Sequence, residues 1–262
     1  MTDALEFTDE EIRIIKTLYT SSDAEKRREF VRDALDIQPG EEVISIGCGP
    51  GFETAGLAEA VGTNGRVHGI DNSEAMLELA NQRCDDLPHV SHEQGDAVDL
   101  PVADSGFDVA VCVQVIEYIE DVTAAIAELA RVLKPGGRAA VYATDWGSVV
   151  WHSSDRDRME RVLAAWGDHC ARPHLASQLG EYVREGGLTV HSVEPFPILN
   201  TRLTEDTFGY YLVDLIVDYV ADHDDIGPGE AESWASDLRD IDERGQTFFN
   251  QTSCLYNLQK AE

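Results

Sequence analysis

Apolar positions along the chain fall into two alternating patterns. Short, nearly continuous runs are separated by longer stretches in which apolar residues recur three and four positions apart. The runs read as buried strands and the longer stretches as helices with one face inward. Strands are predicted within 43–46 and at Val67–Asp71, Val90–Glu93, Phe107–Val113 and Arg138–Thr144. Helical patterns follow Gly51 and occupy Glu74–Gln82 and Val122–Leu133, with Ser73 and Asp121 as N-caps. Lys134-Pro135-Gly136-Gly137 closes the last of these, since proline bars continuation and glycine supplies the turn. Farther on, Ser154 caps a helix running to about His169, and another covers Leu175–Glu185. Gly186-Gly187 leads into a sixth strand, Leu188–Val193, and Thr247–Gln259 reads as a seventh. Helices Asp206–Ala221 and Gly229–Arg244 lie between them, separated by Gly227-Pro228-Gly229. At the start, Asp9–Leu18 and Ala24–Leu35 are helical and joined by Tyr19–Ser22. Strands alternating with helices predict a doubly wound α/β sheet. The division is N-terminal helices (1–38), α/β core (39–200), helical insertion (201–246) and a final core strand (247–262).

Residues 43–54, Val-Ile-Ser-Ile-Gly-Cys-Gly-Pro-Gly-Phe-Glu-Thr, carry the sharpest signal. A buried strand ends in glycines at alternate positions, Gly47, Gly49 and Gly51, and a helix begins at once. Such a loop takes backbone conformations closed to other residues and clears side chains so that a ligand can lie against the main chain. A dinucleotide site wants Gly-x-Gly-x-x-Gly, but Phe52 stands where its third glycine would be, and no Lys or Arg lies nearby in sequence. Gly47-Cys48-Gly49-Pro50-Gly51 instead resembles motif I of the class I S-adenosylmethionine (SAM) methyltransferases. Asp71, at the end of the second strand, can accept hydrogen bonds from the ribose hydroxyls of an adenosine, in NAD and SAM sites alike.

The resemblance runs through about residues 35–145, with five motifs in order. Gly95-Asp96-Ala97 is similar to the family's adenine reader, which implies that the Asp96 carboxylate takes the exocyclic amine and the backbone N–H of Ala97 a ring nitrogen. Met76 either lies against the adenine or is ordinary core. Gln114-Val115-Ile116-Glu117-Tyr118-Ile119-Glu120-Asp121 resembles the family's segment after strand four, with two departures. Val113 stands where Asn or Ser is common, so its contact would come from the backbone. Tyr118 stands where His is common, which removes a histidine base from that spot. The resemblance implies a Rossmann-like seven-stranded sheet with the last strand antiparallel, SAM as cofactor, and a cofactor site made of Gly47, Cys48, Gly49, Gly51, Asp71, Asn72, Met76, Asp96, Ala97, Val113 and Gln114. In relatives an N-terminal aromatic residue lies over the cofactor, and Tyr19 takes that place here or is a packing tyrosine.

Composition changes the picture at the surface. The chain has 262 residues, 50 Asp+Glu against 20 Lys+Arg, and a formal net charge of −30. The acids are spread through helices and loops rather than gathered in a tail, so they form a surface and not an interaction arm. Such a surface resembles that of proteins from salt-accumulating halophiles, where charge is screened over roughly 3 Å at 1 M salt. It repels a phosphate backbone, and no basic stripe offsets this, so nucleic acid is not an expected partner. No apolar run approaches a membrane span, and no basic segment with an apolar core opens the chain, so a cytoplasmic location is expected. Five scattered cysteines without a C-x-x-C pair read as buried or free thiols of a reducing compartment. His89 with His92, and His169 with Cys170 and His174, lack a third ligand at ligand spacing, so no metal is expected.

The expected reaction is methyl transfer to an N, O or C nucleophile of a small molecule, which asks mainly for alignment of two reactants. Candidate bases are Tyr118, His152 and His174. Trp146, Trp151 and His152 are candidate pocket walls beyond the fifth strand. The stripe Phe208, Tyr211, Leu212, Leu215 and Tyr219 either faces an apolar substrate or packs onto its own domain. Two other readings stay open: a SAM-binding sensor or partner subunit without catalysis, and an NAD(P)-dependent oxidoreductase. The acceptor and the oligomeric state are not written in the sequence.

Overall fold

The computed structural model describes residues 17–262. The predicted helix Asp9–Leu18 lies outside the described residues except for its last two positions. The described elements are α1 (Ser22–Leu35), β1 (Glu42–Ile46), α2 (Phe52–Val61), β2 (Arg66–Asp71), α3 (Glu74–Arg83), β3 (Val90–Gln94), β4 (Phe107–Val113), α4 (Val122–Val132), β5 (Leu133–Trp151), α5 (Arg156–Gly167), α6 (Leu179–Glu185), β6 (Thr189–Asn200), α7 (Phe208–Val220), α8 (Glu230–Glu243) and β7 (Phe249–Gln259). Short 3₁₀ turns at Ile116–Tyr118 and Leu175–Ser177 complete the course of the chain.

The sheet has the order β3-β2-β1-β4-β5-β7-β6. β1 to β5 are mutually parallel, and β7 runs antiparallel to both β5 and β6. The two-residue period of the strands sorts the core onto two faces. Val43, Val109, Val111 and Ala140 pack on one face with Val31 and Leu35 of α1 and Leu57 and Val61 of α2. Ile44, Ala110, Cys112 and Val141 pack on the other with Ile126 and Leu129 of α4 and Leu179 and Val183 of α6. Near-continuous apolar runs are therefore what these strands require, because both faces are covered. A third cluster joins the end of β5 to α5, α7 and α8, with Trp234, Val162, Ile216 and Phe249 almost fully buried within it.

Two of the three predicted caps form. Ser73 Oγ accepts from the backbone N–H of Met76, and an Asp121 carboxylate oxygen accepts from Ala124 N–H at 2.9 Å. Three boundaries differ from expectation. β5 does not stop at Thr144: after an irregularity beyond Asp145 it pairs again with β7, Val150 opposite Asn250 and Trp151 opposite Phe249. The Lys134–Gly137 turn falls within its span, where the register against β4 skips from Leu133 to Arg138. β6 continues past Val193 to Asn200, through Pro195 and Pro197. Those prolines hide the strand in the sequence, and β6 tolerates them because it is an edge strand whose free side needs no N–H donors. Finally, Asp155 and not Ser154 caps α5, its carboxylate accepting from Arg158 N–H, while the hydroxyls of Ser153 and Ser154 donate to Asp237. Among the described residues no helix is long and apolar enough to cross a membrane.

Candidate active site

A cavity of about 540 Å³, within the range of small-molecule sites, opens where the carboxyl ends of β1, β2 and β4 meet the third apolar cluster. The loop after β1 forms its floor. Gly47, Gly49 and Gly51 all have positive φ, at 64°, 52° and 80°, but the last two serve different ends. A Cβ on Gly49 would meet nothing closer than the Tyr19 hydroxyl at 3.7 Å; it would occupy open cavity. A Cβ on Gly51 would sit 2.8 Å from the Ala80 backbone, so this glycine lets α3 pack on the loop and is not part of the cavity wall. Cys48 also lies outside that wall; its backbone N–H donates to Ile70 O at 2.9 Å and ties the loop to β2.

Asp71 organises the same corner. One carboxylate oxygen accepts from Gly49 N–H at 2.8 Å and the other from Ser73 N–H at 2.9 Å. Burial pushes its pKa up and these backbone donors pull it back, with burial the larger effect. Asn72, Met76, Asp96, Ala97, Val113, Gln114 and Tyr19 line the cavity as well. Met76 is buried, yet it belongs to none of the three apolar clusters. Gln114 takes a left-handed backbone, φ 55°. Its side chain accepts from the Arg27 guanidinium and donates to Thr144 Oγ1 at 3.0 Å. Tyr19 stacks on Phe52 at 5.5 Å between ring centres, and burial raises its pKa.

The fold brings in cations that sequence proximity did not show. Arg83 lies over the Phe52 ring at 3.3 Å and donates to Pro50 O, and Arg28 donates to the carbonyl of Tyr19. Arg27 is only 3% exposed and its Nε has no hydrogen-bond partner among the described residues. Its signal was present in the sequence: with Ala24, Val31 and Leu35 it falls on the buried stripe of α1, where a cation is out of place.

The opposite end of the cavity is aromatic. Trp146, Trp166, His169, Phe208, Leu212, Leu215 and Tyr219 line it, together with Tyr118. Four of the five residues of the α7 stripe thus face the cavity; Tyr211 does not, and its hydroxyl donates to Glu205 O at 2.7 Å. Trp151 is absent from the wall and packs on Phe249 and Trp234 because it belongs to β5. His152 is exposed, its Nδ1 donating to Gln246 O, and His174 is largely exposed with Nδ1 3.4 Å from Asp145 Oδ1; neither lines the cavity. Tyr118 does, but burial and then the neighbouring Glu117 hold its hydroxyl well above its usual pKa, so it stays protonated and serves as a hydrogen-bond donor and not as a base. His169 and Trp166 were missed; only their three-residue spacing at the end of α5 marked them.

Glu117, beneath Tyr118, is wholly buried. One carboxylate oxygen accepts from Thr144 N–H at 3.3 Å and the other has no partner among the described residues. Burial pushes its pKa up to about 7 against the pull of that N–H and of Arg27. No group of three or more metal-ligating side chains occurs among the described residues.

Residues 44–141, which supply the loop, Asp71, Asp96 and Gln114, match the methyltransferase domain family. Over those residues the chain carries a methyltransferase domain. A demethylmenaquinone methyltransferase of Staphylococcus epidermidis is 36% identical over 117 residues, which cover 45% of this chain and 48% of that protein. The chain spans about half the length of the curated relatives it matches first. Among solved structures, a geranyl diphosphate methyltransferase in complex with SAM aligns over 99% of this chain and 94% of its own, at TM-score 0.58 and 17% identity. The [4+2]-cyclase SpnF aligns over 97% and 96%, at TM-score 0.58 and 20% identity. These likenesses are of fold, and a methyltransferase domain shares its fold with a cyclase, so chemistry has to be argued from the cavity.

Proposed function

We propose that this chain transfers a methyl group from SAM to an uncharged, apolar small molecule. One observation carries the reading: the strand-tip corner of Gly47, Gly49, Asp71 and Asp96 and the aromatic end of Trp146, Trp166, Phe208 and Tyr219 line a single cavity. Two reactants bound there share one space, and alignment out of water is most of what methyl transfer needs. The residues fit the cofactor. Bare main chain at Gly47 and Gly49 leaves room for its amino-acid end, Asp71 has lone pairs left for the ribose, and Asp96 and Ala97 suit the adenine, which Met76 covers. Val113 and Gln114 border the sugar, and Tyr19 with Arg27 closes the amino-acid end. Bound so, SAM supplies a methyl group made electrophilic by the sulfonium. The helical insertion forms one wall of the acceptor end through α7, and Tyr118 donates a hydrogen bond there.

The relatives named for demethylmenaquinone agree with an apolar acceptor. Phe52 and the adenine pair weigh against the NAD(P) alternative, and the aromatic end, which a pure sensor of SAM has no use for, weighs against a non-catalytic binder. The acidic surface and the free cysteines support a cytoplasmic protein of a salt-rich cell. Calorimetry with SAM, S-adenosylhomocysteine and NAD tests the cofactor: binding of NAD alone overturns the reading. Incubating a metabolite extract with label-carrying SAM, followed by mass spectrometry, tests the transfer; SAM binding without any labelled product turns the chain into a sensor.

A further inference from the structure

The aromatic end of the cavity holds polar atoms with nothing to bond to. His169 Nδ1 lies 2.5 Å from Trp166 O, and a carbonyl only accepts, so the proton is on Nδ1 and Nε2 presents a bare lone pair. Nε2 has no partner among the described residues, nor have the indole N–H groups of Trp146 and Trp166. These three rings form one cluster: His169 stacks on Trp166 with ring centres 3.8 Å apart and meets Trp146 edge-on at 4.7 Å. Buried polar atoms are almost always bonded, so one unpartnered acceptor and two unpartnered donors in a single ring cluster call for a partner from outside the described residues. Burial keeps the imidazole neutral, lowering its pKa to about 4.

We propose that this cluster is a subsite for an aromatic hydroxyl, with His169 Nε2 as the atom that receives its proton. The inference rests on the methyl-transfer reading above and names its acceptor class. A hydroxyl both donates to Nε2 and accepts from an indole N–H, which neither a carbonyl nor an ether does. A flat ring fits walls of Trp146, Trp166 and Tyr219, and the only charged side chains among the described lining residues, Asp71 and Asp96, stand at the cofactor end. A carboxylate or phosphate acceptor would be buried there without a counter-charge. In the step, a lone pair of the hydroxyl oxygen forms the bond to the methyl carbon, the sulfur–methyl pair returns to sulfur, and the O–H proton passes to Nε2. The products are a methyl ether, a thioether and an imidazolium, so charge is conserved. A weakly basic imidazole suffices, because an oxygen that has gained a methyl is far more acidic than an imidazolium.

The probes are 2-naphthol and its methyl ether, titrated by calorimetry into the full chain saturated with S-adenosylhomocysteine. We expect 2-naphthol to bind about tenfold tighter than the ether, the preference to vanish in His169→Phe, and part of it to return in His169→Gln, which restores an acceptor atom. In the wild-type protein labelled with ¹⁵N-histidine, the Nε2 resonance should move on adding 2-naphthol and stay in place with the ether, a readout that needs no variant. Tight S-adenosylhomocysteine binding with no preference between the probes, or with an unmoved Nε2 resonance, overturns the assignment of His169 and leaves the cofactor reading standing. Failure to bind S-adenosylhomocysteine overturns that reading instead.

Discussion

Replacing Glu117 by Gln should make the protein more stable at neutral and alkaline pH. The carboxyl is fully buried, has one oxygen without a partner among the described residues, and has its pKa pushed up to about 7 from the usual 4.5. A pKa raised by folding means that the native state holds the proton more tightly than the unfolded chain. That stabilisation is complete below about pH 4.5, falls as pH rises, and is gone above about 7. The interval corresponds to about 3 kcal/mol. Gln keeps the shape of the neutral acid and never ionises. Glu117→Gln and wild type should therefore unfold alike at pH 4.5. At pH 8 the variant should be more stable by up to about 3 kcal/mol, or about 6–12 °C in Tm for a chain of this size. Urea melts of both proteins in concentrated KCl, from pH 4.5 to 8, give the difference directly. Repulsion among the surface carboxylates changes with pH in both proteins and cancels in the comparison. The alternative is that Arg27, buried with its Nε unpartnered among the described residues, neutralises an ionised Glu117. The variant would then lose stability at pH 8, and a flat or inverted difference refutes the account of a buried neutral acid.

Asp71→Ala should lower SAM affinity by at least about 100-fold, since a charged acceptor of the ribose hydroxyls is lost, with an unchanged circular-dichroism spectrum. Calorimetry showing unaltered affinity removes Asp71 from the site. Gly49→Val and Gly51→Ala should separate binding from folding. The first should abolish SAM binding by filling the cavity floor, whereas the second should cost about 1–3 kcal/mol of stability through its contact with Ala80, read by urea melts. A net charge of −30 should make the fold depend on screening, so circular dichroism should report loss of structure as KCl falls from molar to millimolar. Structure retained at low salt argues against a halophilic surface.

Where one physical cause dictates the residue pattern, the sequence was legible. Strands covered on both faces need apolar runs, and β1, β2 and β4 formed within a residue of expectation. The two capped helices and the pair α7 and α8 followed for the same reason, one stripe facing one core. Boundaries were lost where a partner strand decides them. β7 draws β5 on to Trp151 and β6 on to Asn200, and no local signal in either segment says that β7 is long enough to do so.

The site was legible by motif and illegible by shape. Glycines at alternate positions mark a loop with positive φ, but only the packing of α3 reveals that Gly51 serves Ala80 while Gly49 faces the cavity. On α7, Phe208, Leu212, Leu215 and Tyr219 line the cavity and Tyr211, on the same stripe, does not. Helical period assigns a face, and a face shared by core and cavity reads the same in either case. The candidate bases show the limit from the other side. His152 follows Trp151 directly, and the extension of β5 keeps it off the cavity wall; His174, beyond α5, sits against Asp145 and is off the wall as well. His169 arrives from the far end of α5, with its one free nitrogen fixed by a carbonyl three residues earlier. Tautomer, orphaned lone pair and cavity wall are properties of packing, and the acceptor's chemistry is written there and not in the glycine motif.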